Sequence, residues 1–135
     1  MAVVPRRYVV DTHACVFLLA APRKLGQNAR RALERVEHGH EEAWVPAAVA
    51  AEIVLLHELG RIAIGLPQLR ETFDSIPGLR FLPLDLDQLD HFVSLTSIRD
   101  PFDRLIMSAA RSLKADLISR DAALGESGLV RTLWA

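Results

Sequence analysis

Short β-like runs alternate with longer segments of helical period along the whole chain, and that alternation predicts a parallel sheet covered by helices. The strand-like runs are Arg7 to Val10, Ala43 to Val45, Arg80 to Leu82, Ala115 to Ser119 and Val130 to Trp134. Between them the spacing predicts helices over Cys15 to Ala20, Asn28 to Val36, Leu66 to Ser75, Asp85 to Leu95, Asp100 to Leu113 and, briefly, Asp121 to Ser127. A further helix is expected from Pro46, which suits a first turn, to Gly60, which suits an end. Pro22 and Gly26 break the first helix from the second. No linker, repeat or low-complexity tract interrupts this order, so residues 1–135 are expected to form one domain, long enough to bury roughly two-thirds of its unfolded surface.

Composition excludes several classes. Half the residues are apolar and 24% are charged, which rules out a disordered or collagen-like chain. The net charge is −1, yet the sixteen cations comprise fourteen Arg and only two Lys, Lys24 and Lys114. Arg binds phosphate bidentately, so this usage reads either as phosphate contacts or as a solvated surface. Without a whole-chain basic footprint, any affinity for nucleic acid must come from a local patch or from bound metal. The lone Cys15 allows no intramolecular disulfide and points to a reducing, cytoplasmic setting. The longest nearly apolar run, Ala43 to Leu56, contains Pro46 and Glu52 and is too short to span a bilayer. Arg6-Arg7 followed by an apolar stretch to Ala21 mimics an export signal, but Asp11 and His13 interrupt it. The apolar stretches Phe17 to Ala21 and Leu56 to Leu69 read as core, with a face for a partner helix as the second reading.

Four acids stand where a carboxylate is awkward for a fold. Right-handed crossovers point parallel strands the same way, so Asp11, after the first strand, and Asp121, after the fourth, are expected to meet on one sheet edge. Taken alone, each reads first as a helix N-cap. Glu52 shares a predicted helix face with Val49, Ile53 and Leu56, and an ionised carboxylate there needs a metal, hydrogen bonds or a guanidinium partner. In Asp100-Pro101-Phe102-Asp103, Asp100 reads as the N-cap and Pro101 as the first helical residue. Asp103 falls at helical spacing with Ile106, Met107 and Ala110, which turns it inward. Four acids gathered on one edge would repel one another strongly without cations. Oxygen-only donors, with no His/Cys cluster at zinc spacing, favour Mg²⁺ or Mn²⁺ over Zn²⁺. Thr12 and Ser119 are the supporting hydroxyls, Ser119 reading either as a hydrogen-bond donor to a carboxylate or phosphate or as a satisfied strand-end group. His13 and His57 read as locally hydrogen-bonded.

The blocks Val9-Val10-Asp11-Thr12-His13-Ala14, Ala51-Glu52-Ile53, Arg99-Asp100-Pro101-Phe102-Asp103-Arg104-Leu105-Ile106 and Ser119-Arg120-Asp121 resemble the PIN-domain family, and more closely its VapC-type toxin ribonucleases. The resemblance runs from about Tyr8 to Trp134. It implies a three-layer α/β/α sandwich around a five-stranded parallel sheet, a metal site lined by Asp11, Glu52, Asp103 and Asp121 with Asp100 beside it, homodimers, and inhibition by a cognate antitoxin. The segment Pro46 to Ala51 departs from the family by lacking the hydroxyl residue and the Trp often found before the Glu. The activity expected is Mg²⁺- or Mn²⁺-dependent hydrolysis of RNA. Asp11 and Asp103 are expected to ligate directly, Glu52 to ligate or to orient water, and Asp121 to serve a second or water-mediated position. Arg104 and Arg120 are expected on the substrate phosphates or paired with neighbouring acids. A catalytically silent binding module is the alternative. A phospho-receiver domain fits less well, because Asp11 stands alone after its strand and Lys114 precedes the fourth strand instead of following it.

Overall fold

The structure, a computed structural model, describes residues 4–135. Five strands form one sheet in the order β3-β2-β1-β4-β5, and every neighbouring pair is parallel. These are β1 (Arg7–Val10), β2 (Glu42–Pro46), β3 (Leu79–Leu82), β4 (Asp116–Ile118) and β5 (Thr132–Leu133). The helices are α1 (Thr12–Ala20), α2 (Gln27–Glu37), α3 (Ala47–Glu58), α4 (Leu66–Ser75), α5 (Leu86–Ser94), α6 (Pro101–Leu113) and α7 (Ala122–Glu126). They flank the sheet as an α/β/α sandwich, as expected.

β1 is the central strand, and Tyr8, Val9 and Val10 have no exposed surface. A strand covered on both faces must be apolar on both, which is why Tyr8-Val9-Val10 reads as a continuous run and not as an alternation. Tyr8 pairs with Ala43 on one side and Asp116 on the other. Its hydroxyl donates to Glu41 Oε1 at 2.7 Å and accepts from Arg35 at 3.2 Å, so the one polar atom carried into the centre is satisfied. Helix α2 buries Ala29, Ala32, Leu33 and Val36, a stripe at helical spacing, whereas α1 and α3 are apolar around most of their circumference. Cys15 is fully buried in α1, and burial pushes its thiol up to about 12, so it packs as a small hydrophobe.

Most element ends shift by one or two residues from the sequence reading, and two of the differences bear on the site. Helix α1 begins at Thr12 and not at Cys15, because Asp11 caps it immediately after the strand. Pro46 does not enter the first turn of α3; it ends β2, paired opposite Leu82, and stands as the N-cap residue. Its ring cannot donate to a ladder, and the strand end is where that costs least. Gly26, at the start of α2, is required by close approach: a Cβ there would run into the backbone carbonyl of Trp134, which also accepts from the Ala29 N–H at 3.0 Å.

The chain leaves β1 toward β2 and β3 on one side and reaches β4 and β5 on the other, so the direction of winding reverses between β1 and β4. In open α/β sheets the carboxyl edge at such a reversal is where ligands bind.

Candidate metal centre

Both strands that flank the reversal lead into an acid. Asp11 follows Val10 directly, its N–H donating to Ile118 O at 3.1 Å, and Asp121 lies three residues beyond the end of β4. Asp11, Glu52, Asp100, Asp103 and Asp121 line a single depression of about 450 Å³, together with Thr12, His13, Ile106 and Arg120. All four acids singled out in the sequence therefore come together, with Asp100 beside them.

Three of these acids are also helix caps. The Ala14 N–H donates to Asp11 Oδ1 at 2.8 Å, the Asp103 N–H to Asp100 Oδ1 at 3.0 Å, and the Ala123 and Leu124 N–H groups to Asp121 Oδ1 at 2.9 and 3.4 Å. The cap reading holds, and it leaves room for a ligand role, because a carboxylate has two oxygens and the cap N–H groups engage only Oδ1. The starts of α1, α6 and α7 meet at the depression, and the positive ends of their dipoles offset part of the acids' mutual repulsion.

Glu52 is half-buried, not sunk in the apolar face of α3, and Thr12 Oγ1 donates to its Oε1 at 2.6 Å. No guanidinium pairs with it among the described residues. The ion pairs among the described residues are Arg6–Asp116, Arg35–Glu41, Arg80–Glu42 and Arg131–Asp116, all toward the opposite, amino-terminal ends of the strands. The acids at the carboxyl edge face one another without such partners, and Asp103 feels it most. Burial, then the charges of Asp100, Asp121, Glu52 and Asp11, push its carboxyl up to about 6. Burial also raises Asp11, with Asp121 adding to the shift, while the Ser119 hydroxyl, the Ala14 N–H and His13 oppose it. Ser119 is buried and its hydroxyl accepts from the Asp121 N–H at 3.0 Å, so it holds the turn that brings Asp121 to the edge.

The donor set suits a hard divalent cation. It consists of carboxylate oxygens, the cap N–H groups engaging Oδ1 of each capping Asp, with no thiolate in reach, the one Cys being buried in the core. As the side chains stand, no three His, Cys, Asp or Glu groups among the described residues are arranged to hold one ion. A ring of acids around an open depression matches Mg²⁺, which keeps several of its waters and takes one or two carboxylates, better than a closed all-protein cage.

The two arginines separate. Arg120 lines the depression with its guanidinium 5.1 Å from the Phe17 ring. Arg104 does not line it: its guanidinium lies 4.0 Å over Phe92 and donates to the Phe92 carbonyl at 2.8 and 2.6 Å, which takes it out of the expected phosphate-binding set and makes it a clamp between α5 and α6. The histidines differ from expectation as well. Neither ring has a hydrogen bond among the described residues; the His57 ring packs against Gly65, and His13 is exposed on the wall of the depression, 6.3 Å from Phe17. The signal for His13 was its place two residues after the Asp11 cap, and for Phe17 its spacing one turn beyond His13.

The family model described as PIN domain matches residues 8–127. Search of curated proteins gives no match. Among solved structures the chain is similar to VapBC2 from Rickettsia felis bound to a DNA fragment from its promoter, with a TM-score of 0.70 at 14% identity over 96% of this chain and 99% of that one. It is similar also to DNA-bound VapBC from Salmonella typhimurium, with a TM-score of 0.68 at 14% identity over 94% and 96%. VapBC-1 from nontypeable Haemophilus influenzae gives 0.65 at 15% identity over 93% and 96%.

Proposed function

The chain belongs to the PIN-domain family, and on that premise we propose that it is a VapC-like toxin: an endoribonuclease that hydrolyses RNA phosphodiesters with Mg²⁺ or Mn²⁺ and is restrained by a cognate antitoxin. The observation that carries the reading is the gathering of five carboxylates, without guanidinium partners among the described residues, at the carboxyl edge beside the sheet's reversal point. The fold shared with VapBC complexes supports the toxin–antitoxin setting.

Asp11 and Asp103 would hold the metal directly, with Asp121 at a second or water-mediated position. When bound, the cation polarises phosphoryl oxygens and lowers the pKa of a water molecule. Thr12 fixes Glu52 through Oε1, leaving Oε2 to ligate or to accept a hydrogen bond from the attacking water. Asp100 holds the first turn of α6 and so the position of Asp103. Arg120, which lines the depression, would face the phosphate charge. Hydrolysis adds the elements of water across one P–O bond, and Ile106 closes the wall of the depression with apolar surface.

Pairing of two copies is supported by α5, where Leu86 and Val93, two turns apart on one face, are 79% and 71% exposed. No helix among the described residues is long and apolar enough to cross a membrane. The lone, buried Cys15 supports our placing the activity in a reducing cytoplasm. The test is cleavage of RNA by the parent and by Asp11→Asn in the presence of Mg²⁺. Asparagine keeps the cap, so the expected result is a folded protein without activity. Undiminished cleavage would refute the site.

A further inference from the structure

At the end of the sheet opposite the acids, a depression of about 400 Å³ opens between the last turn of α6 and the segment that enters β5. Helix α6 joins the two sites: its 13 residues, about 20 Å of helix, start at the acids and end here. Arg111, Lys114, Arg131 and His91 line the depression, beside apolar surface from Leu129 and Val130. Asp116 is the one carboxylate in this lining, and Arg6 already holds it at 2.7 Å, with Arg131 at 3.8 Å. Arg111 donates through Nη1 to the Leu129 carbonyl, which ties its guanidinium to the wall, and its buried Nε has no partner. Neither Arg111 nor Lys114 has a carboxylate partner among the described residues.

Two further observations set this cluster apart from a solvated surface. Lys114 is the one non-glycine residue with positive φ, 52°, among the described residues, and its N–H closes α6 on the Ala110 and Arg111 carbonyls. Glycine adopts that conformation without strain and commonly ends helices, so a lysine strained into it points to a use for its ammonium. Arg111 suits the negative end of the helix on its own account, whereas Lys114 and Arg131 add charge beyond what the helix end needs. The neighbouring cations of this edge are engaged elsewhere: Arg35 with Glu41, Arg80 with Glu42, and Arg7 with the Leu113 carbonyl. Unpaired positive charge is therefore gathered at one depression and not drawn out in a line.

We infer that this depression binds a compact phosphate, free or as the monoester of a small molecule. Its oxygens lie among Arg111, Lys114 and Arg131, and any organic part rests on Leu129 and Val130. Guanidinium and ammonium groups are the side chains that bind phosphate oxygens best, and the volume is that of a small-ligand site. A nucleic-acid backbone is the competing occupant, and it is recognised by a stripe of cations that this edge lacks.

The experiment is calorimetric titration of the full chain with inorganic phosphate, adenosine monophosphate and adenosine, in metal-free buffer. Without metal the five carboxylates of the acid depression repel the anionic probes, so binding there does not contribute. Both phosphates are expected to bind saturably and adenosine not at all; tighter binding of the nucleotide would assign the ligand an organic part, and equal binding would assign phosphate alone. Lys114→Gly removes the ammonium while easing the backbone, and Arg131→Gln alters a side chain that is 76% exposed, so both proteins fold. Each substitution removes a charge-assisted hydrogen bond and should weaken phosphate binding about tenfold. Lys24→Gln, which removes the same charge on another face, should leave the Kd unchanged. Absence of saturable binding, or an equal loss in all three variants, would overturn the inference. A DNA duplex that binds in a Lys114-dependent way while the small phosphates do not would also overturn it, and would leave this face to nucleic acid. RNA cleavage takes place at the other end of the sheet, so its failure and the failure of phosphate binding are separate results.

Discussion

Replacing Asp103 by Asn should make the metal-free protein more stable while removing its response to Mg²⁺. Asp103 holds its proton up to about pH 6 in the folded protein, against 3.8 in the unfolded chain. Between these values the folded state binds more protons, so stability falls as pH rises through that window and stays at the lower level above it. The full displacement corresponds to about 3 kcal/mol. Asp103 is half-exposed, and solvent screening reduces this to about 1 kcal/mol. The neutral amide escapes that repulsion, and its backbone N–H still donates to Asp100. For a chain of this size the gain raises the Tm by about 4 °C at pH 7.5 in chelator, and it disappears below pH 3.8, where the parent carboxyl is itself neutral. Added Mg²⁺ at about a hundred times its Kd should stabilise the parent by about 2.7 kcal/mol and the variant by much less. Thermal melts of both proteins across pH, with and without Mg²⁺, decide the matter. An Asn variant that melts below the parent in chelator at neutral pH, or that gains as much from Mg²⁺, would refute the reasoning.

Further outcomes follow from single contacts. Thr12→Val removes the 2.6 Å bond to Glu52, a charged acceptor, and should slow cleavage about tenfold or more with an unchanged fold by circular dichroism. Arg104→Ala should cost about 1–2 kcal/mol in urea unfolding through loss of the Phe92 clamp, with KM for RNA unchanged; a raised KM without a stability loss would return Arg104 to the substrate. Gly26→Ala drives a methyl group into the Trp134 carbonyl and should destabilise by about 1–3 kcal/mol in the same assay.

Much of this was legible in the chain itself because local chemistry and packing agree. Helix α4 begins and ends where its spacing predicts, at Leu66 and Ser75, with Pro67 in its first turn and Gln68 folding back onto the Gly65 N–H. Asp100 caps α6 as the Asp-Pro pair suggests, and Asp103 shares the wall of the depression with Ile106, one turn on, as its spacing requires. What resisted was whatever depends on contacts between distant elements. Arg104 follows the cap motif closely enough to look like part of the site, and only the packing of α5 against α6 delivers the Phe92 ring and carbonyl that hold it. The Tyr8–Glu41–Arg35 cluster joins three segments whose proximity no spacing announces. His13 looked ordinary because nothing in its spacing announces a place on the wall of the depression.

The acids that start α1, α6 and α7 through Oδ1 tie the making of the pocket to the making of the helices. Alanine at any of them would fray a helix end by about 1 kcal/mol as well as remove a carboxylate from the depression, so alanine scanning would charge to chemistry what belongs to architecture. Amide substitution separates the two, since asparagine begins a helix as well as aspartate does. By the same coupling, a sequence drifting away from these carboxylates would shed structural stability together with its activity.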